Sequence, residues 1–415
     1  MSRMPIRTFL VLAKRHLQQN IHNRTGSASI VIGNESADLD SIACALVYGY
    51  IQSSRPEARR KNELVIPVVN IPAADLPLRP ELTALLRHAD VKPEDLVTLD
   101  DLKPLPLPLD HTKWTLVDHN AMTGALAEHY SKSITGVIDH HDDEKTIPTA
   151  ADPRIIQKCG SCSSLVTNYL RTTWEDLSSS SSTVGAANAQ SSDGLTDDFA
   201  YTSGWDAQVA KLALGSILID TFNLTDESKV TESDRKAVRY LEAKINASMK
   251  FGKDYDRQKF FEEINAAKAD LEGLSVEDVL RKDYKQWQEG DLTLGISSIV
   301  KPFEWLQQKA GNEKFSQILE GFAKDRGLDL FAVMTAYTAE SGKFARQLIL
   351  LVTSDNDKAK GIVNDFTNKA GAELQLEDSR IQIQDDSGTE IKIWAQGNVA
   401  ASRKQIGPML RGAMR

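Results

Sequence analysis

The chain has 415 residues, 41% of them hydrophobic, enough for two domains of ordinary size. Its net charge of −9 argues against general nucleic-acid binding, although a local cluster of cations can still meet a polyanionic substrate. No apolar run approaches the roughly eighteen residues of a membrane span. The three cysteines, Cys44, Cys159 and Cys162, cannot build a disulfide framework and suit a reducing compartment. Cys159 and Cys162 have CxxC spacing with no second pair, so they read as small packing residues rather than zinc ligands.

Residues 5–19 read as a helix. Arg3, Arg7, Lys14, Arg15 and Arg24 all precede the first acidic residue, Glu35, and Phe9, Leu10, Leu12 and Leu17 add amphipathic character. That combination also fits a mitochondrial presequence, which leaves the matrix open as a location. An ordinary first helix of a cytoplasmic protein is the preferred reading, because cleavage near Thr25 leaves little chain before the first strand. That strand, Ser29–Ile32, is β-branched and ends at Gly33. Ser41–Ile51 follows as a helix with Ile42, Leu46, Val47 and Tyr50 at helical spacing, so Asp38 and Asp40 fall in a strand-to-helix loop. Strands are expected at Glu63–Ile71, Leu96–Leu99, Trp114–Val117 and Gly136–Ile138, and helices at Pro80–His88 and Ser161–Arg171. Lys103–Leu109 alternates Pro and Leu and reads as a loop. The alternation of strand and helix predicts an α/β fold with a doubly wound, mainly parallel sheet.

Residues 177–204, with the serine run Ser178–Ser182, break the pattern and read as a flexible insertion. Ala207–Ile219 is then an apolar helix that delivers Asp220. Ser233–Ser248 and Asp256–Ala269 are amphipathic helices. A second, smaller α/β domain begins near residues 263–275, giving domains 1–262 and 263–415. Its strands are expected at Leu292–Val300, Leu330–Thr338, Gln347–Val352, Glu373–Gln375, Ile381–Gln384 and Ile391–Trp394, with a helix at Lys358–Ala370. The last element starts near Ser402 and carries Arg403 and Lys404 in its first turn.

Four Asp-bearing segments stand out: Gly33–Asp40, Asp118-His119-Asn120, Asp139-His140-His141 and Asp220-Thr221. Three of them sit at predicted strand ends, where α/β enzymes place their chemistry. Taken alone, Asp38-Leu39-Asp40 is a helix cap, His119-Asn120 a turn and Asp220-Thr221 a helix end. Taken together, hard carboxylate oxygens with borderline imidazole nitrogens suit Mn²⁺, Co²⁺ or Mg²⁺. Two such ions can hold a bridging hydroxide that attacks phosphorus, so no Ser or Cys nucleophile is needed. The pattern predicts a two-metal phosphohydrolase.

Those segments resemble the motifs of the DHH phosphoesterase superfamily. Asp283-Tyr284-Lys285 resembles the Asp-x-Lys signature of the accompanying DHHA2 domain, and Ser402-Arg403-Lys404-Gln405 its C-terminal substrate-binding signature. The resemblance spans nearly the whole chain apart from the serine-rich insertion, and within the superfamily it is nearest to fungal cytosolic exopolyphosphatases. It implies a catalytic DHH domain and a substrate-binding DHHA2 domain with the active site in the cleft between them. Asp38, Asp40, Asp118, His140 and Asp220 would be ligands of two divalent cations (Mg²⁺, Mn²⁺ or Co²⁺), with Asp118 and Asp220 bridging. His141, Asp118 and His140 would be the catalytic residues, His141 meeting the phosphoryl group and protonating the leaving oxygen. Asn34, His119, His141, Lys285, Arg403 and Lys404 would bind substrate.

The implied activity is an exopolyphosphatase, a hydrolase of phosphoric anhydrides that removes terminal orthophosphate from inorganic polyphosphate. A monomer is expected, with no nucleic-acid or membrane partner. A family II pyrophosphatase is the first alternative, but that family has His where this chain has Asn34, a weaker ligand that more readily donates to phosphate. A prune-like interaction protein is the second; prune-like proteins have Arg at the position of His141. A DHH-type exonuclease is disfavoured by the acidic balance.

Overall fold

The computed structural model describes residues 3–24, 26–188, 192–311, 315–353, 357–379 and 390–415. The chain divides into two compact units, Met1–Lys268 and Ala269–Arg415. In chain order the first holds α1 (Ile6–Asn23), β1 (Ser27–Ile32), α2 (Leu39–Ser53), α3 (Pro56–Lys61), β2 (Val65–Val69), α4 (Pro80–Arg87), β3 (Val97–Thr98) and β4 (His111–Val117). It continues with α5 (Gly124–Tyr130), β5 (Ile134–Asp139), β6 (Arg154–Ile156), α6 (Cys162–Asn188), α7 (Ser192–Asp220), α8 (Glu232–Asn246) and α9 (Arg257–Ala269).

The six strands form one sheet in the order β3-β2-β1-β4-β5-β6, and every pairing is parallel. Strand order reverses between β1 and β4. The carboxyl ends of those two neighbours are where a doubly wound sheet leaves a crevice for ligands. The apolar runs Ile30-Val31-Ile32 and Leu116-Val117 are buried on both faces, as parallel strands covered by helices require. Helix α2 is buried along its whole length. Its helical spacing of apolar residues predicts one buried face, but α6 and α7 pack over the remainder.

The stretch 177–204, expected as a flexible insertion, is largely occupied by the end of α6 and the start of α7. Ser and Ala are tolerable in a helix, and α6 already carries the apolar stripe Leu165, Val166, Leu170, Trp174 and Leu177 that anchors it. The short edge strand β6 and helix α5 were not expected from the sequence.

The second unit holds α10 (Val276–Lys282), β7 (Tyr284–Glu289), β8 (Leu292–Ile299), α11 (Phe303–Ala310), α12 (Phe315–Asp325), β9 (Leu330–Thr335), β10 (Tyr337–Thr338), β11 (Phe344–Ala345), β12 (Gln347–Val352), α13 (Asp357–Leu374), β13 (Leu376–Asp378), β14 (Glu390–Gln396) and α14 (Arg403–Met414). Its main sheet runs β13-β14-β12-β9-β8-β7, parallel only at β8–β9. The two-residue period of β9 and β12 divides the core. Leu330, Ala332, Met334, Leu348 and Leu350 face one cluster, and Phe331, Val333, Ile349 and Leu351 the other.

The strand expected at Glu373–Gln375 is instead the end of α13. Leu374 is buried on the helix's apolar face, Gln375 turns left-handed at φ 51°, and the strand starts one residue later. The expected strand Ile381–Gln384 lies outside the described residues. Strand β7 escaped notice because Tyr284–Glu289 is only half-buried and mostly polar.

No helix among the described residues is long and apolar enough to cross a membrane. A tight approach near the crevice is at Gly33, where an added Cβ would lie 2.7 Å from Ser41 Cβ and 3.0 Å from its carbonyl oxygen. Gly33→Ala is therefore expected to destabilise the fold by about 1–3 kcal/mol, the usual cost of overpacking, as read from urea unfolding.

Candidate metal centre

Each expected ligand of the first unit sits at an element end under the carboxyl edge of the sheet. Asp38 caps α2 and accepts from Ser41 N at 2.9 Å. Asp40, in the first turn of α2, is 2% exposed and turned toward the start of α6. It accepts from Ser161 Oγ at 2.8 Å, Cys162 N at 2.7 Å and Ser163 N at 3.0 Å. One carboxylate thus fills the role of an α6 cap and answers the positive end of its dipole.

Asp118 follows β4 with φ 60°, a left-handed conformation that turns its buried carboxylate back under the sheet. Oδ2 accepts from Asn34 Nδ2 at 2.9 Å and Ser41 Oγ at 2.7 Å. Oδ1 is closed off from water and receives no hydrogen bond of acceptable geometry among the described residues. It faces His140 Nε2 at 3.2 Å and His141 Nδ1 at 3.8 Å.

The imidazoles are fixed from behind. His140 Nδ1 lies 3.1 Å from the carbonyl of Cys159, and His119 Nδ1 2.9 Å from that of Val117. A carbonyl only accepts, so both Nδ1 atoms carry the proton. His141 Nδ1 lies 2.7 Å from Asp139 Oδ1, which also accepts from the backbone N–H of His140 and His141. All three rings therefore turn Nε2 away from their anchors. Such fixing of tautomer and ring orientation is how outer partners prepare histidine ligands.

His140 Nε2 and Asp118 Oδ1 consequently meet as two lone pairs, unless a proton or a cation stands between them. Asp118, His140 and His141 together offer donor atoms within 4.8 Å of one another. Burial favours the neutral form of Asp118, but His140, then His141 and the Ser41 hydroxyl, outweigh it and hold the carboxyl well below the usual range.

Asp220, the last residue of α7, shows the opposite behaviour. Burial and the neighbouring Asp40 and Asp38 carboxylates push its pKa well above the usual range, against Lys268 and His140. A cluster of like charges sharing a buried site is costly to ionise without a cation, and the donor set fits a divalent one. Beyond Asp220 the chain reverses its winding: Phe222, Asn223 and Leu224 have φ of 50°, 56° and 64°. Asn223 N closes this turn on Leu218 O at 2.7 Å.

Asn34, expected to donate to phosphate, is 2% exposed and donates to the carbonyl and the carboxylate of Asp118. In this conformation it positions Asp118 across the β1–β4 switch point. Sequence reading also missed several supports. Asp234 is fully buried and accepts from Gly160 N, Ser161 N, Ser164 Oγ and Thr231 N, which holds the loop that delivers Ser161 to Asp40. Its signal was present, since Thr231-Glu232-Ser233-Asp234 is a capping-box pattern. Buried Arg79 donates to the carbonyls of Ser36 and Ala37 and fixes the loop before Asp38. No sequence pattern marked it.

In the second unit, Arg403 opens α14 and donates from Nη2 to Asp283 Oδ1 at 2.7 Å and from Nη1 to its carbonyl at 3.0 Å. The two signatures, 120 residues apart, thus meet. Arg403 is held by a carboxylate of its own unit, which explains a cation at a helix start without an external anion. Lys285 is half-buried on β7, and Lys404 is exposed.

The comparisons with known proteins follow the same division. The DHH family, N-terminal domain, matches residues 29–189, and the DHHA2 domain matches residues 262–413. A Schizosaccharomyces pombe protein named "Putative exopolyphosphatase" is 34% identical over 94% of this chain and 91% of its own length. The chain belongs to the DHH family. Within it, the mouse (Mus musculus) protein named "Exopolyphosphatase PRUNE1" is 26% identical over 93% of this chain and 75% of its own length. The structure titled "Crystal structure of Methanococcus jannaschii putative family II inorganic pyrophosphatase" superposes with a TM-score of 0.53 at 17% identity, covering 94% of this chain and 99% of that one. That likeness shows the shared fold of this DHH protein.

Two outcomes are expected. In the folded, metal-free DHH protein Asp220 keeps a proton that the unfolded chain releases above a pKa of about 3.9, so its contribution becomes more unfavourable as pH rises past that value. The opposite contribution of Asp118 is complete above that value and is lost only in stronger acid. A divalent cation displaces the Asp220 proton, so the metal-induced rise in Tm should grow between about pH 5 and about pH 8. Asp220→Asn should raise the Tm of EDTA-treated protein by at least about 2 °C and remove most of the metal-induced rise. Separately, Asn34→Ala should weaken metal affinity about 10–100-fold, measured by titration with Mn²⁺, through loss of the hold on Asp118.

Proposed function

We propose that the chain is a metal-dependent exopolyphosphatase that releases terminal orthophosphate from inorganic polyphosphate. The observation that carries this reading is the pairing of Asp118 Oδ1, which receives no hydrogen bond of acceptable geometry among the described residues, with the outward Nε2 of His140, beside the carboxylates of Asp38, Asp40 and Asp220. Asp38, Asp40, Asp118, His140 and Asp220 would hold two divalent cations, of Mg²⁺, Mn²⁺ or Co²⁺. Cations bound there would supply Lewis acidity, neutralise phosphate charge and acidify a water molecule.

The chain's own residues do the rest. Asp139 accepts the hydrogen bond of His141 Nδ1 and leaves its Nε2 outward, the atom that would meet the phosphoryl group and hold a proton for the leaving oxygen. His119 presents its Nε2 in the same way and would contact the phosphate. Asn34 and Ser41 keep the Asp118 carboxylate from rotating away. In the second unit Lys285, Arg403 and Lys404 are the cations that would bind successive phosphates, Arg403 as a planar fork oriented by Asp283 and the lysines as point charges. The names of the yeast and mouse relatives support polyphosphate as the substrate class.

The test is orthophosphate release from long polyphosphate with Mg²⁺, Mn²⁺ or Co²⁺ and with EDTA, beside a pyrophosphate control. Metal-dependent release from polyphosphate is expected, with pyrophosphate untouched. Asp118→Ala should lower kcat at least about 100-fold, and Lys404→Ala should raise KM for long chains with little change in kcat. Hydrolysis of pyrophosphate alone would overturn the reading in favour of a pyrophosphatase.

A further inference from the structure

A concavity lined in part by arginines lies at the opposite end of α2 from the candidate metal centre. Arg3, Ser54, Arg59 and Asn62, with Phe9 and Leu64 as apolar wall, help line this small concavity, which is partly open to solvent. Asp38 and Asp40 sit at the first turn of α2 and Ser54 just past its last. Fifteen helical residues at about 1.5 Å each separate the two places by about 22 Å.

Charge in this region is not balanced. Arg3 is 6% exposed, and its Nη2 donates to Asp206. Asp206 also accepts from Trp174 Nε1 at 2.6 Å and Ser178 Oγ at 2.7 Å, and lies 3.6 Å from Lys244 Nζ. Among the described residues no other carboxylate is within ion-pair distance of Arg3 or Lys244, so one anion serves two largely buried cations. Arg3 Nε and Nη1 are closed off from water and make no hydrogen bond of acceptable geometry among the described residues, and the nearby Tyr50 hydroxyl, itself donating to the carbonyl of Met4, is a neutral neighbour that does not compensate the charge. A buried guanidinium with donors unmet by protein or solvent is unfavourable, and an oxyanion is the partner that suits its planar fork.

We propose that this concavity binds a phosphate-class oxyanion, with Arg3 and Arg59 as the charged contacts and the Asn62 amide as the neutral one; the Ser54 hydroxyl donates to the carbonyl of Tyr50 and only shapes the wall. Binding requires the Arg3 guanidinium to turn its unmet edge toward the ligand. The apolar wall excludes water from one side, which strengthens these charged hydrogen bonds. The site is separate from the metal centre and does not rest on the function proposed above.

The experiment titrates the full chain, in EDTA, with inorganic phosphate, followed by calorimetry and thermal melting, with acetate at equal ionic strength as control. Saturable binding at one site is expected. Asn62→Asp keeps the side-chain shape and tolerates the left-handed backbone at φ 54° while placing a negative charge in the site, so it should weaken binding at least about tenfold. Arg59→Gln should do the same by removing a cation, and Asp118→Asn should leave the affinity within about twofold, being remote. Binding that survives both pocket variants, or that disappears in Asp118→Asn, would overturn the proposal. So would equal stabilisation by acetate, or no saturable binding up to about 10 mM phosphate, a concentration at which even a weak specific anion site fills.

Discussion

The arrangement of the first unit follows from the cost of gathering carboxylates under the ends of parallel strands. Asp38 and Asp40 at the start of α2, Asp118 just past β4, Asp139 at the end of β5 and Asp220 at the end of α7 come from four different element ends, and Asp40, Asp118 and Asp139 are almost fully closed to solvent. Each is stabilised by donors rather than by arginine or lysine. Asp40 takes the amides at the α6 start, Asp118 takes Asn34 and Ser41, and Asp139 takes two backbone amides, Asn120 and His141. Donors of this kind lower the cost of a buried negative charge without neutralising it. A residual demand for cations is left, and it falls at Asp118 Oδ1 and at Asp220.

This also explains what was legible in the sequence. Strands ending in Asp could be read directly, because parallel strands buried on both faces are continuous apolar runs and the acidic residue that breaks the run is conspicuous. Asp139 at the end of β5 and Asp118 just past β4 are of that kind. Supports that act through space were not legible. Nothing near Arg79 in the chain marks it as the residue that holds Ser36 and Ala37, since its partners lie some forty residues away. Asn34 was visible, but its hydrogen bonds to Asp118 were not, because which groups an amide meets depends on burial and on the neighbouring strand, which the sequence does not state.

The second unit was less legible for a different reason. Strands β9 and β12, buried on both faces, stand out as Leu-Phe-Ala-Val-Met and Gln-Leu-Ile-Leu-Leu-Val. The edge strand β7 carries polar, half-exposed residues and has no apolar signature. It nevertheless carries Lys285, and Asp283 just before it fixes Arg403. The sheet edge with the weakest sequence signal is thus the one that carries Lys285 and orients Arg403.

The left-handed turn at Phe222, Asn223 and Leu224 constrains which length changes the fold can absorb. Three successive residues in that conformation cost about 1–2 kcal/mol each outside glycine, so the turn persists only because its surroundings hold it in place. It fixes the phase of α7 at the end that bears Asp220. A residue inserted in the last turns of that helix would swing the carboxylate by about 100° about the helix axis, with no slack beyond it to restore the direction. Length variation in the long α6–α7 hairpin is therefore tolerated only toward the far ends of its two helices, away from the carboxylates.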